Sequence, residues 1–451
     1  MTRCSLTAAM VAGLLAAAAG GARAADSAAP DVVATAPLLT LAEAVRAARA
    51  HHPALGLARG NAFTAWGNAN QARSALLPNV NGAASYQRGT SNYVSQPGGM
   101  VPGMNAQPTV SSASTVPLWR FAVTGNQLVY DFGESINRWK AADVAADAAD
   151  ESVHVTESQV VYNARIAFFT ARADKDLVAV ARDTLANQEK HLAQVQGFVE
   201  VGTHPAIDLS QARADRATAQ LQLINTENNY AVARAVLNQA MGVERSVDYD
   251  LSDDALPPIE GEEGVVEMLI DEAKQARPEM ANLRLNLKSQ ELGLRSAHDM
   301  NWPALSLAGT AYESGKYLDS MAWNFSGTVQ LSVPLLQGGA IKAQIKEAQG
   351  QLQQAQAQLE TERQQVRLDV EQARLGIRAA KGAIASAEDA LVNTQDRLRL
   401  AEGRYATGVG SIIELGDAQL ALTNAAAQKV QAEYQLSTAR AQLLKALGRN
   451  D

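Results

Sequence analysis

The chain has 451 residues, a formal net charge of −8 and a single cysteine, Cys4. The acidic balance argues against nucleic acid as a partner, and the lone N-terminal cysteine leaves no thiol for a disulfide or metal site further along. Past residue 24 no apolar run approaches the ~18 residues that a membrane helix requires, so any crossing would be made by strands.

The first 24 residues read as a secretory leader: Arg3, an apolar stretch from Leu6 to Ala19, then Ala22-Arg23-Ala24 as a cleavage site. The mature chain is expected to start at Ala25, without Cys4. A first unit, 25–242, opens with Leu39-Thr40-Leu41 and passes through His51-His52-Pro53 to Leu77-Pro78. Val80, Gly82, Ala84 and Tyr86 match Leu305, Leu307, Gly309 and Ala311 at a displacement of 225, and Trp119, Phe121 and Val123 stand against Arg120 and Thr124, which predicts a strand hairpin over about 79–131. A Gly, Ser, Pro and Asn-rich turn lies between them, from about Gln87 to Pro117. From Arg138 to about Glu200 there is no proline and strong helix formers abound, predicting roughly 95 Å of helix. Gly202 breaks it and Gly242 closes a helical hairpin over about 134–242.

An acidic linker, 243–264, leads to a second unit, 265–451, that repeats the first. Gly133, Gly202 and Gly242 recur as Gly339, Gly408 and Gly448 at a displacement of 206, while Pro53 and Pro78 recur as Pro278 and Pro303 at 225. The first unit therefore carries 19 extra residues, which fall in its long turn. Trp323, Phe325, Gly327, Val329, Leu331 and Val333 alternate with polar residues in a second strand hairpin, about 304–336, and the second helical hairpin spans about 340–448. Helices this long must pack as coiled coils, with Val153, Val160, Ile166, Leu368, Leu375, Leu391 and Leu398 as the expected seam.

These elements predict a mainly α, internally duplicated chain with four strands and long coiled helical hairpins. Four strands leave two unpaired edges, which lipid penalises, and membrane barrels need at least about eight strands. Self-association would close the sheet: three copies would give a trimeric 12-stranded barrel continued by an α-helical tunnel, and another copy number could in principle close it as well. A soluble sandwich edge would show the same alternation, and a periplasmic coiled-coil structural or adaptor protein without a pore would show the same helices.

The chain resembles the TolC-like outer membrane efflux protein family. The matching pieces are Leu39-Thr40-Leu41-Ala42-Glu43-Ala44 with His51-His52-Pro53, the strand-to-helix joints Tyr130-Asp131-Phe132-Gly133 and Val333-Pro334-Leu335-Leu336-Gln337-Gly338-Gly339, and the helical turns Val201–Leu209 and Arg404–Leu415. Each is weak alone; their order and doubled spacing from about Leu39 to Gly448 are specific. The resemblance implies a homotrimer in the outer membrane of a Gram-negative bacterium, in contact with its lipid. It implies a large periplasmic extension, girdled by shorter elements near Leu39–Pro53 and Val243–Val265. It also implies a passive exit duct for a tripartite efflux or type I secretion system, with a periplasmic adaptor and an inner-membrane transporter as partners. No cofactor and no catalysed reaction are implied.

The turns at Gly202 and Gly408 lie farthest from the strands and should form the periplasmic tip. By the resemblance, Glu414 and Asp417 stand where the family's prototype has inward-facing acids, which in a trimer would form stacked carboxylate rings that attract and bind cations. Read without it, they are ordinary first-turn acids at a helix N-terminus. Tyr405 and Asp208 match a closing latch, and Gly410 stands where the prototype has an arginine of the closing network, so easier opening is expected unless another residue compensates. Val201, Gly202, Ala406, Gly408 and Val409 are the candidate adaptor contacts. The six histidines show no metal-ligand spacing, and no glycine pair has the surroundings of a nucleotide-binding loop.

Overall fold

The computed structural model describes residues 38–90, 115–244 and 249–449. The expected leader, the start at Ala25 and most of the long turn, with its 19 extra residues, lie outside the described residues.

The first unit contributes β1 (Leu38–Leu39), α1 (Leu41–His51), α2 (Pro53–Ser74), β2 (Asn79–Thr90), β3 (Thr115–Tyr130), α3 (Glu134–Glu200) and α4 (Ala206–Met241). The linker contributes β4 (Asp250–Leu251), and the second unit contributes α5 (Val266–Ala276), α6 (Pro278–Asp299), β5 (Ala304–Gly315), β6 (Ala322–Ser332), α7 (Ala340–Ala406) and α8 (Ile412–Leu447). The strands reach further into the turns than their composition suggests, to Thr90 and from Thr115 on one side and to Gly315 on the other. Paired helices have equal lengths: 11 residues for α1 and α5, 22 for α2 and α6, 67 for α3 and α7, and 36 for α4 and α8. At 1.5 Å per residue, α3 and α7 are each about 100 Å long.

Local chemistry sets the boundaries. Thr40 and Glu43 form a reciprocal capping box, the Glu43 N–H donating to the Thr40 hydroxyl at 3.3 Å and the Thr40 N–H to the Glu43 carboxylate at 3.0 Å. Pro53 and Pro278 start α2 and α6, where a missing N–H costs nothing. Gly242 and Gly448 end α4 and α8 in the left-handed region. A Cβ on Gly242 would stand 2.8 Å from the backbone of His51 and His52, and one on Gly448 3.0 Å from that of Ala276. The end of α4 therefore abuts the α1–α2 joint, and the end of α8 the α5–α6 joint. In consequence α4 and α2 follow one another along α3, while α8 and α6 follow one another along α7 and also pack against α3.

The four long strands form one antiparallel sheet in the order β2-β3-β5-β6, so each hairpin pairs internally and β3 joins β5. The register gathers Val80, Tyr86, Trp119, Phe121, Leu305, Phe325 and Val329 on one face and Asn81, Ser85, Arg120, Thr124, Thr310 and Asn324 on the other. Val80, Phe325 and Val329 are each about two-thirds exposed. Where β3 gives way to α3, the Asp131 carboxylate accepts the N–H groups of Ser135 (2.8 Å) and Gly133 (3.3 Å).

Burial is distributed along the rod rather than gathered into one core. The coiled-coil seam differs from the expected one. Leu368 and Leu375 are 46 % and 62 % exposed, whereas Leu359, Val366, Val370, Ala373 and Ile377 are buried against α5, α6 and α8. The stripe follows a heptad-like spacing offset from the leucines, and much of the contact is carried by alanine. Val160 and Leu398 are buried as expected.

The linker runs across both hairpins at mid-height. Arg172 and Lys175 of α3 donate to the carbonyls of Asp254 (2.7 Å) and Leu251 (2.8 Å). From α8, Arg440 donates to the Leu256 carbonyl (2.7 Å) and forks onto Glu262 (3.2 Å twice), which also meets Lys381 of α7 at 2.8 Å. Burial works to raise the Glu262 pKa, yet hydrogen bonds from Arg440, Lys381 and the Ile259 N–H hold it down at about 2.

Candidate functional site

At the end of the rod opposite the sheet, two short turns reverse the chain. Gly202 and Gly408 adopt φ of 79° and 78°, a region closed to most side chains. The turns are closed by N–H groups of Thr203 and Val409 donating to the carbonyls of Phe198 (2.9 Å) and Arg404 (3.1 Å). Val201 and Val409 are 77 % and 71 % exposed, and Ala406 is exposed as well. Ile207 and Ile413, absent from the expected contacts, add two more exposed aliphatic side chains at equivalent places in the two repeats. Their displacement of 206 was the signal that would have found them.

Tyr405 and Asp208 are brought together, and both are buried. The Tyr405 hydroxyl donates to Asp208 Oδ2 at 3.3 Å, joining the last turn of α7 to the first turn of α4. The same oxygen lies 3.3 Å from His204 Nδ1. His204 stacks on Phe198 with ring centroids 5.0 Å apart, and His191 meets the Tyr405 ring edge-on at 5.5 Å. Burial first, then the Asp208 charge and its hydrogen bond, push the Tyr405 pKa up to about 12, so the phenol remains a donor. Burial lowers the His191 pKa against the opposing pull of Asp215 and Asp208. Neither histidine was expected at the latch, because nothing in their spacing links α3 to α7.

Glu414 and Asp417 both stand at the start of α8. The Glu414 N–H donates to the Ser411 hydroxyl at 3.1 Å, an N-terminal cap. Its carboxylate is half-exposed and 3.6 Å from Arg404 Nε, a partner that offsets part of its charge, while Asp417 is exposed. Gly410 has a steric reason of its own. A Cβ there would come within 2.9 Å of the Tyr405 nitrogen, so the chain passes this close to α7 only without a side chain.

Among the described residues, no group of three acids or histidines is placed to hold a metal ion, and no helix is long and apolar enough to cross a membrane. His52 instead caps α2, its Nδ1 accepting the Ala54 N–H at 3.2 Å.

Known proteins share this architecture. The chain is 24 % identical over 332 residues to the outer membrane protein TolC of Escherichia coli, a match covering 68 % of this chain and 62 % of that one. It is 24 % identical over 239 residues to the probable outer membrane lipoprotein SilC of Salmonella typhimurium, covering 50 % of each. The chain thus spans between half and two-thirds of the length of these relatives. In three dimensions it is similar to the CmeC outer membrane channel of Campylobacter jejuni, with a TM-score of 0.78 at 17 % identity over 91 % of this chain and 86 % of that one. It is likewise similar to the outer membrane protein VceC of Vibrio cholerae, with a TM-score of 0.76 at 18 % identity over 90 % and 96 %. The sequence model of the outer membrane efflux protein family matches residues 44–243 and 269–449, one segment in each repeat. The chain belongs to the outer membrane efflux protein family.

Proposed function

We propose that this outer membrane channel-family protein, which is not an enzyme, serves as the passive exit duct of a tripartite export system. In this reading three copies close a twelve-stranded barrel and a helical tunnel, and a periplasmic adaptor joins the tip to an inner-membrane transporter that supplies the energy. The carrying observation is the sheet: four strands with one apolar face and, among the described residues, both edges unpaired, continued at Gly133 and Gly339 into helices about 100 Å long.

In the same reading Glu414 and Asp417 form the acidic ring of the tunnel entrance, Tyr405 and Asp208 its latch, and Val201, Gly202, Ala406, Gly408 and Val409 the adaptor contact. Exposed aliphatic side chains around two left-handed glycines support the last assignment, since another helical tip can approach a small-residue turn closely. Arg404 stands beside Glu414, whereas Asp417 is exposed and forms no ion pair among the described residues, which makes it the less compensated acid of the ring.

Single-channel recording of the purified protein in a planar bilayer tests this. The expected result is small, cation-selective current that a polyvalent cation on the helical side blocks. Asp417→Ala should weaken the block by about tenfold or more, and further than Glu414→Ala does. A soluble monomer that never conducts would return the chain to a periplasmic coiled-coil role.

A further inference from the structure

The linker seals one side of the first hairpin. Its Tyr249, Leu251 and Leu256 pack in one cluster with Phe168 and Phe169 of α3, while Arg172 and Lys175 hold its main chain through the carbonyls of Asp254 and Leu251. At the displacement of 206, Phe168, Phe169, Arg172 and Lys175 become Arg374, Leu375, Arg378 and Lys381 of α7. Lys381 again meets the linker, at Glu262 and Glu263. The other three line an open groove of about 650 Å³ between α7 and the start of α5, where Val265 and Val266 form the facing wall. Leu375 is 62 % exposed there, against 2 % for Phe169 at the equivalent place.

The acids of the groove are already engaged, Glu267 and Glu371 with Arg367 and Glu263 with Lys381. Arg374 and Arg378 have no hydrogen bond or ion pair among the described residues. What the second repeat lacks here is a counterpart of the linker, and the sequence contains one. At the displacement of 225 that relates the fronts of the repeats, linker residues 250–262 correspond to residues 25–37. That segment is linker-like: Pro30 and Pro37 favour extended backbone, Val32 and Val33 are aliphatic, and Asp26 and Asp31 are its only charges. Two acids on an extended chain suit two guanidinium groups that have no acid of their own. The segment reaches the groove from another copy, because within one chain the way across α8 is taken by the linker, held there by Arg440 at the Leu256 carbonyl. Helices α4 and α7 are the outer members of the row and α3 and α8 the inner ones, so closing a ring sets α7 of one copy beside α4 of the next, near the start of β1 at Leu38. Residues 25–37 can extend over about 43 Å, several times the ~10 Å between packed helices.

We propose that residues 25–37 of one copy dock in the groove between α7 and α5 of its neighbour, Arg374 and Arg378 donating to the carbonyls and acids of the segment and its valines covering Leu375. Each copy then straps the next at mid-height, as the linker straps the two hairpins within a copy. The strap rests on the ring of copies in the duct proposed above.

Photo-crosslinking of the detergent-purified full chain carrying Leu375→p-benzoylphenylalanine tests it. The expected result is a two-chain adduct on denaturing gels whose joined peptide, read by mass spectrometry, contains residues 25–37. Arg374→Ala with Arg378→Ala should lower its yield about fivefold, and Asp26→Asn with Asp31→Asn should do the same. Circular dichroism confirms that each variant is folded, and native mass spectrometry gives the number of copies. An assembled ring whose adducts map to other residues, or join residues 25–37 of the same chain, would overturn the strap and leave the duct standing. Yield unchanged by both pairs of substitutions would also overturn it, and a chain that stays monomeric would overturn strap and ring together.

Discussion

Tyr405 is held at its hydroxyl by Asp208 and at its ring by His191 and His204, so this buried side chain ties the second repeat to the first, beside the apolar cluster that Val195 and Ala212 form with Leu398, Leu415 and Ala418. A neutral hydrogen bond of this kind contributes about 1 kcal/mol, and one to a charged acceptor somewhat more. Removing both partners avoids stranding the buried carboxylate. Tyr405→Phe combined with Asp208→Ala should therefore raise the open fraction, and with it the mean conductance, by about fivefold per latch; unchanged conductance would dismiss the latch. His191 adds a dependence on pH. Its folded pKa is depressed by burial, so the unfolded tip takes up a proton near pH 6.5 that the folded tip resists. The stability it contributes is complete above that pH and is lost as pH falls through the lowered folded value. Hydrogen exchange at the tip, corrected for intrinsic rates, should accelerate between pH about 7.5 and about 5.5. His191→Phe keeps the ring contact without the proton and should flatten that response.

At the scale of elements, glycines with similar φ do different work. Gly202 has nothing within 4 Å of a built Cβ, so Gly202→Ala should cost only the left-handed strain of about 1 kcal/mol. At Gly242 the same methyl meets the α1–α2 joint at 2.8 Å, adding an overpacking cost of about 1–3 kcal/mol. Thermal melting followed by circular dichroism should rank Gly242→Ala clearly below Gly202→Ala, and equal midpoints would mean that the end-to-end helix stack yields freely. The repeat, the strands and the long helices were legible because periodicity, proline spacing and glycine breaks are local signals. Helix α2 was not: its sequence carries three glycines and only a weak apolar stripe, and its buried positions include Ala58, Ala62 and Ala69 packed along α3. The same physics misdirected the coiled-coil seam. Where alanines allow close approach, leucine ceases to mark the buried face, and Leu368 and Leu375 are left exposed. The Tyr405–Asp208 pair was readable only through family resemblance, whereas the Arg404–Glu414 pair depends on how tightly Gly408 and Gly410 fold the turn.

The whole molecule leaves its flanks uncovered in a pattern that specifies how copies meet. On one flank α4 exposes Leu221, Ile224, Val232 and Val236, and on the other α7 exposes Leu375, Val392 and Leu400. The sheet repeats this arrangement, with β2 and β6 as its two free edges. Because the two flanks belong to different helices and different strands, a contact between them is head-to-tail, and such contacts close only as rings. Two copies would supply eight strands and three would supply twelve, the number in the duct proposed above. Heights along the rod can be matched from the tip, since Leu221 of α4 and Val392 of α7 each stand about 15 residues, or roughly 22 Å, from their turn. In a Cys4→Ser background, Leu221→Cys with Val392→Cys should form disulfides between neighbouring copies on mild oxidation. Denaturing gels should then show a ladder of one, two and three chains that stops at three, with the three-chain species dominating at completion. A ladder ending at two would make the assembly a dimer, continuing higher species would make it an open fibre, and no cross-link at all would mean that these apolar flanks are covered by something other than this chain.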